Sequence, residues 1–200
     1  MIKTIIFDAD GMVLKRDSVL PSEKFAKDLN VPLENILVFF KNEFQLCKTG
    51  KADAKQVLEK YLPSWGWKKS PSEFLQCWFE CDNTLNPEMI ESIKNLREKG
   101  IKCYLATNNE KYRVEYFKNI LNFKNIFDDV FSSDKIGCQK NQQAFWQTVY
   151  KKLKNPDKNS VLCWDNDQEK IHAIKEFGFL AELYTDFDTY KNIISNYINK

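Results

Sequence analysis

The run Thr4-Ile5-Ile6-Phe7-Asp8-Ala9-Asp10-Gly11 closes an apolar stretch with two carboxylates spaced i, i+2 and then a glycine. The apolar, β-prone residues predict a buried strand that carries Asp8 to its carboxyl end, where Gly11 lets the chain turn away. At a period of two, Asp8 and Asp10 share one side of that strand. Two acids at a strand tip attract a hard cation, or divide into a nucleophile and a general acid. The plainer explanation is a β-turn in which Asp and Gly serve geometry alone.

Three further polar groups bear on that choice: Thr107-Asn108-Asn109, Lys140 in Gly137-Cys138-Gln139-Lys140, and Asp165-Asn166-Asp167. If Asp8 attacks a phosphoryl group, Asp10 can protonate the leaving oxygen and then activate water. Carboxylate and phosphate repel, so the attack needs countercharge. Mg²⁺ held by one or two carboxylates would supply it, with a lysine and a hydroxyl on the remaining phosphate oxygens. Thr107 suits the hydroxyl. Lys140, just before a predicted helix with free N–H groups at its start, suits the lysine. Each has an ordinary explanation when taken singly. Thr107 can cap a helix, Lys140 can be solvated, and Asp165 to Asp167 can be a capping cluster. Their joint occurrence, in order, favours chemistry.

The elements that must position these groups follow from the pattern of the whole chain. Ile2 to Phe7 reads as the first strand. Ser18 to about Cys81 reads as helix after helix, broken near Val31-Pro32, at the Lys48 to Lys51 loop and at Pro63 to Gly66, with Asp53 and Ser70 as helix starts. Aromatic residues crowd this region, among them Phe39, Phe40, Phe44, Trp65, Phe74 and Trp78. Their partly helical spacing predicts the core of a small bundle rather than a ligand-stacking platform. Lys48 and Lys51, flanking Gly50, are candidates for touching a substrate, although loop lysines are ordinarily solvated.

From Asn86-Pro87 onward, strand and helix alternate. A helix ending at Gly100 precedes a strand over 101–106, and a helix over about 112–122 follows. A short strand at 129–131, a helix over 141–154, a strand at 160–164, a helix over 168–177, a strand near 179–183 and a C-terminal helix complete the pattern. Such alternation predicts an α/β fold, a Rossmann-like parallel sheet sandwiched by helices with an inserted α-helical unit. Ligands bind outside the carboxyl ends of such strands. Asp8, Thr107 and Asp165 stem from three separate strands, yet this topology gathers them at one edge.

These motifs resemble those of the haloacid dehalogenase-like hydrolase superfamily: Asp8-x-Asp10-Gly11, a strand ending in Thr107-Asn108, Ser132-Ser133 with Gly137-x-x-Lys140, and Asp165-Asn166 after an apolar strand. The resemblance spans nearly the whole chain and points to the helical-cap type, subfamily I. It implies a core of residues 1–14 and 85–200 with a cap of residues 15–84. It implies Asp8 as nucleophile, Asp10 as general acid and base, Thr107, Asn108 and Lys140 at the substrate phosphate, and Mg²⁺ as cofactor near Asp8, Asp10, Asp165 and Asn166. Family members that act on carbon–halogen bonds lack the second Asp, so Asp10 points to phosphoryl transfer. Two positions depart from the family pattern. Asn166 follows Asp165 where a second acid is frequent, which leaves Asp165, Asn166 or Asp167 as the metal ligand, and Asn141 follows Lys140 where proline is usual.

The expected activity is Mg²⁺-dependent hydrolysis of a small phosphorylated metabolite through an aspartyl-phosphate on Asp8. A phosphomutase of the same family is an alternative. So is a non-catalytic binding or regulatory protein, which Asn166 favours and the joint presence of Asp8, Asp10, Thr107 and Lys140 opposes. The net charge of +2, from 30 Lys+Arg against 28 Asp+Glu, gives no basis for nucleic-acid or membrane binding. Six cysteines without a Cys-x-x-Cys pair and a single His, His172, oppose a zinc site. The absence of a leader or a long apolar run predicts a reduced, cytoplasmic protein, as monomer or homodimer.

Overall fold

The computed structural model describes residues 1–16 and 19–198. The predicted helical start at Ser18 and the last two residues of the predicted C-terminal helix lie outside the described residues. The chain runs β1 (Thr4–Asp8), α1 (Pro21–Asp28), α2 (Leu33–Lys41), α3 (Glu43–Cys47), α4 (Ala54–Tyr61), α5 (Pro71–Cys81), α6 (Pro87–Glu98) and β2 (Lys102–Thr107). It continues through α7 (Lys111–Asn119), α8 (Phe123–Ile126), β3 (Asp129–Ser132), α9 (Ser133–Ile136), α10 (Gln143–Lys152), β4 (Val161–Asp165), α11 (Gln168–Phe177), β5 (Leu180–Leu183) and α12 (Phe187–Ile198).

Among the described residues, five parallel strands form one sheet in the order β3-β2-β1-β4-β5. Alternation along β1 sorts its side chains between two cores. Ile5 and Phe7 join Met89, Ile93, Phe117 and Tyr190 of α6, α7 and α12 on one face. Ile6 joins Phe145, Trp146, Ile171 and Ile174 of α10 and α11 on the other. Both faces are covered, as a buried parallel sheet requires. Each of β1, β2 and β4 runs one residue further than the apolar pattern predicts. The ladder continues through the pairs Asp8–Ala106, Thr107–Ser132 and Asp165–Leu183. The polar residues are therefore the last rungs of the sheet, held by its hydrogen bonds.

Helices α1 to α5 have a core of their own. Phe25, Ile36, Phe39, Leu58, Trp65 and Phe74 are buried in it. Burial of each such ring or aliphatic group contributes about 1.5–3 kcal/mol relative to exposure. Ser70 starts α5 with a capping box, its hydroxyl accepting from Glu73 N at 3.3 Å while Glu73 Oε2 accepts from Ser70 N at 3.0 Å. The single helix expected over 33–47 is broken at Asn42, whose backbone (φ −109°, ψ −100°) leaves the helical region.

Two antiparallel passages join this helical layer to the sheet. Leu14 bridges Leu85, Lys15 N donates to Thr84 O at 2.8 Å, and Asn86 N donates to Val13 O at 2.9 Å. Other contacts pin the layer down. Ser133 Oγ donates to Lys48 O at 2.5 Å, and Asp53 receives Lys111 Nζ at 2.5 Å and Tyr112 Oη at 3.0 Å. All six cysteines are free thiols, and Cys103 and Cys163 are buried in β2 and β4. No helix among the described residues is long and apolar enough to cross a membrane.

Candidate active site

β1 is the middle strand, so its carboxyl end lies between those of β2 and β4. Lys140 arrives at the same edge from the loop after α9. Its backbone is clamped, with Asn108 Oδ1 accepting from Lys140 N at 3.0 Å and Trp146 Nε1 donating to Lys140 O at 2.6 Å. Its side chain is fully buried. The ammonium donates to Asp8 Oδ1, to Asp165 Oδ2 at 2.7 Å and to Ala106 O at 3.1 Å. All three of its protons are thus committed. Burial opposes its charge, yet Asp165 and Asp8 hold Lys140 above the ordinary lysine value. Burial pushes the Asp8 carboxyl up to about 6 against the pull of Lys140.

Asp10 is oriented from the side of β2. Asn109 Nδ2 donates to Asp10 Oδ2 and to Thr107 Oγ1, both at 2.7 Å. The guanidinium of Arg113, on α7, lies 3.7 Å from Asp10 Oδ1 and 3.3 Å from Asp82 Oδ2. Arg113 is buried and also donates to the carbonyls of Phe79 (3.1 Å) and Asp82 at the end of α5. One cation therefore ties the helical layer to the carboxylate at position 10.

Asn166 approaches from β4, and its Nδ2 donates to Asp10 O at 2.9 Å. Gly11 makes room for it: with φ +84°, a Cβ there would collide with that nitrogen. Asp8, Asp10 and Asn166 line one cavity, and the Asn166 carboxamide meets the main-chain carbonyl of Asp10. Turning the carboxamide over presents its oxygen there. A hard divalent cation suits such an oxygen-only set. The set carries little charge, and no cluster of three His, Cys, Asp or Glu side chains suited to a metal occurs among the described residues. Asp165 is joined to Asp8 through the shared Lys140 ammonium. Its Oδ2 takes Lys140, its Oδ1 accepts from Asp167 N at 3.1 Å, and it is almost completely buried.

A cavity of about 610 Å³ opens above these groups, lined by Asp8, Asp10, Asn108, Asn166 and Asp167 together with Arg16, Lys48 and Lys170. Of the residues expected from the sequence, Asp8, Asp10, Asn108 and Asn166 meet there. Thr107, Lys140 and Asp165 lie beneath as a buried layer. Lys48 reaches the cavity and Lys51 does not line it. The sequence reading assigned no role to Arg113 or Asn109. A signal for Arg113 exists, since it is four residues before Phe117 on the inward face of α7. Asn109 offers no signal beyond its place at a strand end.

Glu110 follows Asn109 and caps α7, accepting from Tyr112 N at 2.8 Å and Arg113 N at 2.7 Å. It is almost completely buried, and burial pushes its carboxyl up to about 7 despite those bonds. The folded state therefore holds a proton that the unfolded chain releases above about pH 4.5. Stability from this group falls as pH rises from about 4.5 to about 7, by up to about 3 kcal/mol. Glu110→Gln should gain stability relative to the wild type between pH 5 and pH 8, as read by urea unfolding at both. A difference that does not change with pH would contradict the raised value.

A family model described as haloacid dehalogenase-like hydrolase matches residues 2–178. No curated protein matches the chain. Among solved structures, the HAD family enzyme bt-2542 of Bacteroides thetaiotaomicron superposes with a TM-score of 0.83 at 15% identity, covering 96% of this chain and 98% of that one. The same enzyme in complex with magnesium and inorganic phosphate gives 0.79 at 17% identity, over 95% and 99%. A predicted HAD-like family hydrolase of Porphyromonas gingivalis gives 0.82 at 15% identity, over 100% and 99%.

Proposed function

Because the chain belongs to the haloacid dehalogenase-like hydrolases, we propose that it hydrolyses a small phosphate monoester, with Asp8 as nucleophile and Asp10 as general acid and base. The observation that carries this reading is the shared cavity. Asp8 and Asp10 line it together, Asp8 held by Lys140 and Asp10 by Asn109 and Arg113.

In the first half-reaction an Asp8 oxygen bonds to phosphorus as the bond to the ester oxygen breaks, and Asp10 gives its proton to the departing alkoxide. In the second, Asp10 takes a proton from water, which attacks the aspartyl-phosphate and frees Asp8 and inorganic phosphate. Lys140 neutralises part of the charge that gathers at Asp8. A bound Mg²⁺, held by Asp8, the Asp10 carbonyl and Asn166, would supply further positive charge against the phosphate oxygens. The magnesium and phosphate in the bt-2542 complex support that choice of ion. Residues 15–84 act as a cap that shields the site from water. Asn166 lowers the site's negative charge, so saturation should require a higher Mg²⁺ concentration than an all-carboxylate site would.

Hydrolysis of p-nitrophenyl phosphate with Mg²⁺ and then with EDTA tests the reading. Release that stops with EDTA supports it. No release, with no calorimetric Mg²⁺ binding, would favour the non-catalytic alternative. The ammonium of Lys48, half-buried above Asp10, has no acidic partner within ion-pair distance among the described residues, and burial lowers its pKa. It is placed to meet a phosphate oxygen. Lys48→Met should raise KM for p-nitrophenyl phosphate about tenfold with little change in kcat. An unchanged KM would return Lys48 to the solvated loop.

A further inference from the structure

A second cavity, of about 380 Å³, adjoins the first and shares Asp10, Arg16, Lys48 and Asn108 with it. Its other wall is aromatic, formed by Phe40 of α2, Phe44 of α3 and Trp78 of α5. The three rings lock one another. Phe40 and Trp78 meet at 4.9 Å and 88°, Phe40 and Phe44 at 5.5 Å and 78°, and Phe44 and Trp78 at 5.1 Å and 57°. Of the bundle's other rings, Phe39, Trp65 and Phe74 are fully buried and pack the interior, whereas Tyr61 and Trp67 are partly exposed but do not line this cavity. Phe40 and Trp78 remain partly exposed and border the cavity.

Resting on the phosphatase reading, we propose that the substrate is a phosphate monoester of an alcohol that bears a flat aromatic ring, with the ring against Phe40, Phe44 and Trp78. A group leaving from a phosphoryl unit at Asp8 passes Lys48 and Asn108 into the second cavity, because those residues border both. There it meets near-perpendicular rings, which offer a face and an edge to a third ring at once. A polyol fits the aromatic wall poorly, because its hydroxyls would lose water there, and two of the polar groups on the opposite side are already engaged: Arg113 with Asp10 and Asp82, Asn109 with Asp10 and Thr107. A cavity of this size takes one or two fused rings.

The test compares esters whose leaving groups are all simple alcohols, so that intrinsic reactivity is matched: 2-(1-naphthyl)ethyl phosphate, n-hexyl phosphate and glycerol 3-phosphate. The naphthyl ester should exceed glycerol 3-phosphate in kcat/KM by about 30-fold or more, and hexyl phosphate should fall between them. Trp78→Leu should reduce the naphthyl-to-glycerol ratio by about tenfold. Equal kcat/KM for hexyl and naphthyl esters, or a preference for glycerol 3-phosphate, would overturn the aromatic assignment. A second measurement serves if Trp78→Leu fails to fold. Calorimetry on the wild-type protein should show 2-(1-naphthyl)ethylphosphonate binding more tightly than ethylphosphonate, and equal affinities would overturn the proposal. Selective phosphonate binding without turnover of any ester would remove hydrolysis and keep the aromatic subsite, which separates the two failures.

Discussion

Asp8→Asn should abolish turnover, lowering kcat by at least about 10⁴-fold, because no other group can accept the phosphoryl unit. The fold should survive. The asparagine oxygen can still accept from Lys140 Nζ, which Asp165 and the Ala106 carbonyl continue to hold. The backbone of residue 8 keeps its pairing with Ala106. Burial already disfavours the charged form of this carboxyl, so losing its charge should change unfolding free energy by only about 1 kcal/mol. Phosphate-release kinetics and urea unfolding on the same preparation check both halves. Activity near the wild-type level in a folded Asp8→Asn would remove the nucleophile assignment.

Lys140→Met should be the more damaging substitution overall. It leaves Asp8 and Asp165 buried side by side without their shared cation. Removing one partner of a buried ionic cluster costs about 3–5 kcal/mol. The variant has a distinguishing signature. Asp165 keeps Lys170 at 3.8 Å, but buried Asp8 loses its ion-pair partner, so stability should fall as pH rises and Asp8 ionises, and recover in acid, where it is neutral. Unfolding at pH 5 and pH 8 reads this directly. A loss under about 1 kcal/mol, the same at both pH values, would show that the ammonium does not carry the cluster. Activity should be lost as well. Read from the sequence alone, Lys140 is a phosphate holder. In the structure its three protons reach Asp8, Asp165 and the Ala106 carbonyl, so direct contact with a phosphate would exchange one of these bonds.

The legible part of this molecule is the part that repeats a simple physical rule. Apolar runs followed by polar residues mark β1, β2 and β4, and the helix over 168–177 matches the structure at both ends, with Asp167 capping one and Gly178 closing the other. Strand ends are read one residue short at Phe7, Ala106 and Trp164, because hydrophobicity stops where backbone pairing does not. Depth is the main thing hidden. Thr107, Lys140 and Asp165 belong to the constellation by position, yet nothing in their spacing says that they lie under the cavity floor while Asn108 and Asn166 face it. Arg113 is hidden for a related reason. Its partners, Asp10, Asp82 and the Phe79 carbonyl, come from segments far apart in sequence, and no local pattern encodes such a meeting. The aromatic region divides similarly, since helical spacing identifies a core but cannot tell Phe39 inside it from Phe40 at its border.

The central place of β1 also governs how the chain reaches this state. β1 has no pairing partner nearby in sequence: Ile5 pairs with Cys103 on one side and with Leu162 on the other. Its apolar side chains must wait for most of the chain to be made, and pairings of such range slow folding and leave a strand open to wrong partners meanwhile. The helical insertion softens this delay. With its own core, α1 to α5 can collapse on local contacts, and the closed Leu14–Leu85 passage then acts as a short link in place of a long loose one. Weakening the insertion's interior, at Phe39 for example, should therefore slow formation of the sheet.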